Sequence, residues 1–223
     1  MARNWVSVEF FAGILALSVA LETAGVNVVA SYYSEICTDC CLVAATNFPS
    51  AINLGDITKI TSSFIADIVK QWPHCWWVLG AGPPCQDVSL LNSAARGSWG
   101  SRSRLREHYK RIYNIFCSLI PRQFIFAIME CTKMTRFNQI PYDKVHGRKP
   151  VLICSKFAAP MTRPRLWWLN KEVDWQSHGA TLSKKGGNLE VSPPFIRPPC
   201  TSFLQNGWAQ LNPHHNDADF AFR

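Results

Sequence analysis

An apolar run, Cys75-Trp76-Trp77-Val78-Leu79, is broken at once by Gly80-Ala81-Gly82-Pro83-Pro84-Cys85. The run reads as a buried strand, and two glycines and two prolines in direct succession to it forbid its continuation. Whatever follows is therefore held at a strand end by a rigid turn. In open α/β sheets the carboxyl ends of the strands are where ligands bind. Cys85 is thus a candidate nucleophile, since a thiolate held there can reach an electrophilic carbon that a core side chain cannot. On this stretch alone a small buried hydrophobe remains the other reading.

The chain ahead of this loop has the alternation of an α/β protein. Val6 to Phe10 reads as a strand, Phe11-Ala12-Gly13-Ile14 as a turn, Leu15 to Ala24 as a helix, and Val26 to Tyr33 as a second strand ending at Ser34-Glu35. Glu35 lies 22 residues after Gly13, about where dinucleotide-binding sheets place the carboxylate that receives ribose hydroxyls. Gly13 stands alone, without the three-glycine pyrophosphate fingerprint, so the pattern fits a cofactor with a ribose and no pyrophosphate better than a nicotinamide dinucleotide. S-adenosylmethionine is such a cofactor. Cys37 to Asn47 suits a helix and Pro49 to Asn53 a loop with a short strand. Gly55-Asp56-Ile57 then precedes a helix over Ser62 to Gln71.

Beyond Cys85, Leu91 to Arg102 is rich in Ser, Gly and Asn and reads as a flexible lid. Arg104 to Ile120 is expected to be helical, with Tyr109, Ile112, Ile115 and Phe116 on its apolar face. Phe124 to Met129 is an apolar strand ending at Glu130, a position for general acid or base work. Met134 to His146 reads as an irregular polar connection, Pro150 to Cys154 as a strand, and Arg163 to Trp168 as the opening of another. From Lys171 onward, Gly186-Gly187, Pro193-Pro194 and Pro198-Pro199 interrupt every run. The expected fold is α/β and Rossmann-like, a mostly parallel sheet with helices on both faces over residues 1–170, followed by an irregular remainder over 171–223.

Charge and cysteine content narrow the function. The net charge of +8 is concentrated in Arg96, Arg102, Arg104, Arg106, Lys110, Arg111 and Arg122, a block that suits phosphate neutralisation as well as a solvated helix face. Nine cysteines without a regular framework, in a chain of 223 residues, point to a reducing compartment. Cys37, Cys40 and Cys41 have partial metal-ligand spacing with no second pair and no nearby His, so no metal is expected. The apolar stretch Phe10 to Leu21 is bracketed too tightly by Glu9 and Glu22 for a membrane span.

Gly82-Pro83-Pro84-Cys85-Gln86 resembles the Pro-Cys loop of the cytosine-C5 DNA methyltransferases, and Asp87-Val88-Ser89-Leu90-Leu91-Asn92 is most similar to their animal de novo branch. Further stretches follow in the family's order. Glu9 to Ile14 resembles the Phe-x-Gly motif lining the methionine end of S-adenosylmethionine, with Leu15 where the family has a small residue. Tyr33 to Cys37 resembles the motif whose Glu holds the ribose, and Gly55-Asp56-Ile57 the motif whose Asp accepts from the adenine amino group. Glu130 matches the Glu of a Glu-Asn-Val motif, while Cys131 replaces its Asn. Arg163-Pro164-Arg165 resembles the family's Arg-x-Arg followed by aromatic residues.

The resemblance implies methyl transfer to C5 of cytosine through a covalent adduct of Cys85, with Glu130, Arg163 and Arg165 as the other catalytic residues. It implies cofactor contacts from Phe11, Ala12, Gly13 and Ile14, from Glu35 and Ile36, from Asp56 and Ile57, and from Gly82 and Pro84. Ser89, Asn92, Arg96, Arg102 and Arg104 are expected on the nucleic acid. The implied partner is double-stranded DNA, although these residues do not separate DNA from RNA, and an oligomer with another methyltransferase chain is the second expected partner. The nucleus is the expected site in a eukaryote and the cytoplasm otherwise. The resemblance runs from Val6 to Trp168, and the family's larger recognition region and closing motif are not found after it. A truncated or degenerate member is therefore expected, and Cys131 motivates the alternative of a weak or inactive nucleic-acid-binding paralogue.

Overall fold

Strands rich in β-branched and aromatic residues alternate with amphipathic helices in a computed structural model that describes residues 3–157, 161–185 and 187–193. In chain order the main elements are β1 (Trp5–Phe10), α1 (Ala16–Thr23), β2 (Val28–Ser34), α2 (Thr38–Asn47), β3 (Ile52–Asn53), α3 (Ser62–Gln71) and β4 (Trp76–Ala81). They continue with α4 (Arg106–Leu119), β5 (Ile125–Thr132), α5 (Arg136–His146), β6 (Val151–Cys154), β7 (Pro164–Leu169), β8 (Thr181–Lys185) and β9 (Asn188–Ser192). The nine strands form one sheet in the order β3-β2-β1-β4-β5-β7-β6-β9-β8. β1 through β5 run parallel, β7 lies antiparallel between β5 and β6, and β9 returns parallel to β6.

Burial is continuous along β1 and β4 after their first residue because both faces of the sheet are covered. Val6, Val8 and Phe10 of β1, with Trp77, Leu79 and Ala81 of β4, pack under the apolar faces of α3, α4 and α5. Ala12, Leu15, Tyr33 and Ala44 form a second cluster under α1 and α2. β4 runs through Gly80 to Ala81, past the break expected after Leu79, and Gly80 faces α1, where an added Cβ would collide with the Leu17 side chain. The chain leaves β1 toward β2 on one side and reaches β4 on the other. This makes the β1/β4 pair the point where strand order reverses, and the crevice there faces ligands.

The structure corrects four expectations. The stretch to His146 is a helix, α5, whose Thr135 hydroxyl caps the Asn138 amide at 3.3 Å and whose Gly147 closes it at φ 72°. Pro141 sits inside it and disguised it in the sequence. The segment from Lys171 is irregular as far as Ala180, but β8 and β9 then form a hairpin that extends the sheet. The remaining proline-interrupted tail lies outside the described residues. The expected lid over Leu91 to Arg102 is tied down in its second half, as Gly97 N donates to the Asp87 carbonyl at 2.6 Å and Ser98 N to Asn138 Oδ1 at 3.0 Å. Finally, β5 runs past Glu130 to Thr132, so Glu130 lies within the strand.

Candidate active site

Four loops meet at the carboxyl ends of β3, β2, β1 and β4, stitched by backbone bonds. Gly82 N donates to the Phe10 carbonyl at 3.1 Å, Ala12 N to the Ser34 carbonyl at 3.2 Å, and the Ser34 hydroxyl to the Gly55 carbonyl at 2.6 Å. Residues 11–15 turn sharply there. Phe11 at φ 54°, Gly13 at φ 54° and Leu15 at φ 66° all adopt the left-handed region. Two non-glycine residues in that region within one short turn are a strained feature of the kind that concentrates at functional sites. Leu15, which stands where a small residue was expected, turns away from the loop and is 1% exposed in the second core cluster.

Glu35 is the hinge of this edge. Its Oε2 accepts from Gly13 N at 2.8 Å, and its Oε1 accepts from Ile36 N at 2.8 Å and Cys37 N at 2.9 Å. One carboxylate thus fixes the turn after β1 to the end of β2. The residues fit an adenosyl cofactor. Oε2 takes a single bond among the described residues and retains capacity for a ribose hydroxyl. Ile36 beside it exposes 74% of its surface, an apolar platform for a base. Asp56 accepts from Thr58 N at 2.9 Å, and its bonds to Thr58 hold the carboxyl below its ordinary range, so it remains an ionised acceptor. Ala12 and Ile57 offer only their backbones to this edge, since both side chains are buried. Ile14 is exposed, Gly82 is exposed and Pro84 is half-buried.

Cys85 is half-buried where the Pro83-Pro84 turn delivers it, and its carbonyl accepts from Val88 N at 3.0 Å and Ser89 N at 2.9 Å. That helical turn buries Asp87, whose Oδ2 accepts from Arg102 N at 2.9 Å and Ser103 N at 3.1 Å. A side chain at Gly100 would collide with this carboxylate. Arg106, in the basic block, is 1% exposed and donates to the Ser98 carbonyl at 2.6 Å and the Ser103 carbonyl at 2.8 Å, stacked over Tyr142. It is a structural brace and is unavailable to phosphate. Arg96, Arg102 and Arg104 remain exposed on the loop that Asp87 and Arg106 hold, with exposed Asn92 and half-buried Ser89 nearby in sequence.

On the neighbouring strand, Glu130 faces the same side of the sheet as Gly80. Arg165 Nε lies 2.8 Å from Glu130 Oε1, but the N–H does not point along that line, and Oε1 has no aligned hydrogen bond. Burial raises the Glu130 carboxyl, and Arg165 and then Arg163 oppose the rise. Cys131 points to the opposite face and is 1% exposed. Burial first, then the Cys85 and Glu130 charges, push its thiol up to about 12. The Tyr142 hydroxyl next to it is buried without an aligned partner, although Ser103 and Cys131 are near enough to affect it.

The structure therefore gathers the Phe11–Ile14 turn, Glu35, Asp56, Cys85 and the Glu130–Arg165 pair along neighbouring strand ends of one sheet, and leaves Arg163 exposed on the approach to β7. Asp87, Arg106 and Tyr142 are the supporting residues the sequence did not reveal. Asp87 follows Cys85 by two positions, but its partners are amides 15 and 16 residues on, and no local pattern announces them. A concavity of about 570 Å³ between residues 147–151 and 187–189 contains none of the candidate residues.

The model of the C-5 cytosine-specific DNA methylase family matches residues 6–119, half of the chain. The type II methyltransferase M.XorII of Xanthomonas oryzae is 25% identical over 173 residues, covering 72% of this chain and 39% of that protein. DNMT2 of Spodoptera frugiperda shares the fold at TM-score 0.52 and 20% identity, over 74% of this chain and 49% of its own. A putative DNA modification methyltransferase of an E. coli prophage does so at 0.54 and 20%, over 82% and 49%, and the Entamoeba histolytica methyltransferase EhMeth at 0.56 and 16%, over 78% and 55%. The chain thus spans about two fifths to just over half of the length of these relatives. From the matched residues 6–119 and the shared sheet, the chain belongs to the C-5 cytosine-specific DNA methylase family, whose members use S-adenosylmethionine.

Proposed function

We propose that this chain transfers a methyl group to C5 of cytosine in DNA, with Cys85 as the nucleophile. The observation that carries the reading is Cys85 in the loop that leaves β4, next to the strand β5 that bears Glu130 with Arg165 at 2.8 Å, and beside the turn that Glu35 closes. Bound S-adenosylmethionine supplies an electrophilic methyl group on a sulfonium. Phe11 to Ile14, Glu35, Ile36 and Asp56 would hold it, and Gly82 and Pro84 would border it.

A cytosine must leave its stack before a side chain can reach the ring. Cys85 Sγ then adds to C6, and Glu130 holds a proton at N3 so that the electron pair is delivered to C5. The half-buried, upshifted Glu130 carboxyl suits that role because it retains a proton more readily than an ordinary glutamate. Arg165 and Arg163 offer planar forks for O2 and a nearby phosphate. C5 would take the methyl group that the bound cofactor supplies, breaking that group's bond to sulfur; water then takes the C5 proton, and the C5–C6 double bond re-forms as the Cys85 Sγ–C6 bond breaks, returning the thiolate. Ser89, Asn92, Arg96, Arg102 and Arg104 would contact the backbone of the bound nucleic acid. Asp87 to Asn92 keep the animal de novo branch as the finer proposal, for which the relatives above offer no support.

The test is transfer of a tritiated methyl group to duplex DNA, with the product identified as 5-methylcytosine. Cys85→Ala should abolish it while cofactor affinity stays within about twofold; equal rates for variant and parent contradict the assignment. Cys131 favours a second reading, a weak or inactive nucleic-acid-binding paralogue. That reading predicts DNA binding without detectable transfer.

A further inference from the structure

Cys37 and Cys40 form a Cys-x-x-Cys pair at the start of α2. Cys37 is the N-cap, with φ −73° and ψ 116°, and Cys40 is the third residue of the helix. An N-cap side chain folds back over the first turn toward the third helical position, so these two side chains are neighbours by construction. Residues three apart on a helix bring their Cβ atoms to about 5–6 Å, and a modest tightening of the first turn reaches disulfide geometry.

The surroundings distinguish the two thiols. Cys37 is exposed, and its backbone is held on both sides: its N donates to Glu35 Oε1 at 2.9 Å, and its carbonyl accepts from Cys41 N at 2.9 Å. Cys40 is half-buried. Interaction with the Cys37 side chain, ahead of burial, pushes its thiol up to about 11, so Cys40 keeps its proton while Cys37 meets solvent. Cys41 is otherwise engaged, its Sγ donating to the Glu35 carbonyl at 3.6 Å and accepting from Asn53 Nδ2 at 3.2 Å. Among the described residues no group of three or more Cys, His, Asp or Glu side chains is arranged to hold a metal ion.

We propose that Cys37 and Cys40 are a thiol–disulfide exchange site that takes a small-molecule disulfide of the glutathione class as its oxidant. The Cys37 thiolate attacks one sulfur of oxidised glutathione, forming a mixed disulfide and releasing one glutathione thiolate, which takes up a proton. Cys40 then loses its proton to water, and its sulfur attacks Cys37 Sγ, releasing the second glutathione. Two protein thiols are oxidised to one disulfide, and one oxidised glutathione is reduced to two thiols. A partly exposed pair at a helix N-terminus is the setting in which such exchange occurs. The proposal is independent of methyl transfer.

The full chain is equilibrated with mixtures of reduced and oxidised glutathione and quenched in acid. Free thiols are then alkylated, and the peptide carrying residues 37–41 is sequenced by mass spectrometry. A Cys37–Cys40 disulfide with Cys41 alkylated is expected. Cys40→Ser should trap glutathione on Cys37 at a level at least about tenfold above that found on Cys40 in Cys37→Ser, because the exposed thiol is the one that attacks oxidised glutathione first. Circular dichroism confirms that both variants are folded. Full alkylation of Cys37 and Cys40 in oxidised mixtures, a disulfide to Cys41 instead, or equal glutathione loading of the two variants overturns the proposal.

Discussion

Under the proposed methyl transfer, Cys131 would bear on catalysis without touching substrate. Its position is fixed by strand alternation on β5, which turns Glu130 to one face and Cys131 to the other, against Tyr142. A thiol cannot supply the paired donor and acceptor of an amide, and the Tyr142 hydroxyl is left buried without an aligned bond. Cys131→Asn offers that hydroxyl a partner and gives the Pro-Cys turn a brace. Single-turnover methylation at saturating cofactor is expected to rise about tenfold, because small misplacements of a nucleophile cost rates of this order and more. The cofactor dissociation constant should stay within about twofold. An unchanged single-turnover rate in a folded Cys131→Asn protein contradicts the bracing role.

At the scale of elements, the turn after Cys85 and residues 97–105 act as one unit through Asp87. Its Oδ2 serves two amides that have no other role for their protons, one of them fully buried. Asp87→Ala should therefore cost on the order of 2 kcal/mol, since a buried donor left unpaired loses its desolvation compensation. Tryptic cleavage at Arg102 and Arg104 should accelerate in parallel, and denaturant melts with timed digestion check both. Unchanged stability with unchanged cleavage contradicts the account. This coupling was illegible in the sequence because its partners are remote. The opposite holds for α3, which was legible to its ends. Thr61 caps the Phe64 amide at 3.2 Å, and Ile65 and Ile68 recur on its buried face. α5 was hidden by Pro141, and β8–β9 by a strand whose residues are almost all exposed. The Cys85 turn and Glu35 were legible because prolines and glycine spacing are local signals, whereas Arg106 looked like a surface cation until α4 buried it.

Over the whole molecule, the buried Glu9 and the half-buried His146 set opposing pH dependences. Glu9 sits under α1, accepts from Leu17 N at 3.1 Å, and is raised by burial from 4.5 to about 7. Its contribution is fully present below about 4.5 and is lost as pH rises through about 7. His146 is held neutral between Tyr109 at 3.0 Å and the Trp168 carbonyl at 3.2 Å, and burial lowers it from 6.5 to about 4. Its contribution is present above about 6.5 and is lost as pH falls through about 4. Each is worth about 3 kcal/mol, with opposite sign over nearly the same window. Thermal melts of the parent should thus vary little between pH 4.5 and 6.5 from these two groups, whereas Glu9→Gln should lose stability on acidification. A variant whose pH profile parallels the parent contradicts this balance. The central claim remains that Cys85 attacks cytosine in DNA, and trapping tests it most directly. A duplex carrying 5-fluorocytosine, incubated with the chain and S-adenosylmethionine, has fluorine in place of the C5 proton; fluorine cannot leave as a cation, so expulsion of the thiol is blocked. A denaturation-resistant protein–DNA complex is predicted, with the base attached to Cys85 and no complex from Cys85→Ala. Attachment to another cysteine, a complex with RNA alone, or no complex from a chain that binds both cofactor and duplex would contradict the claim.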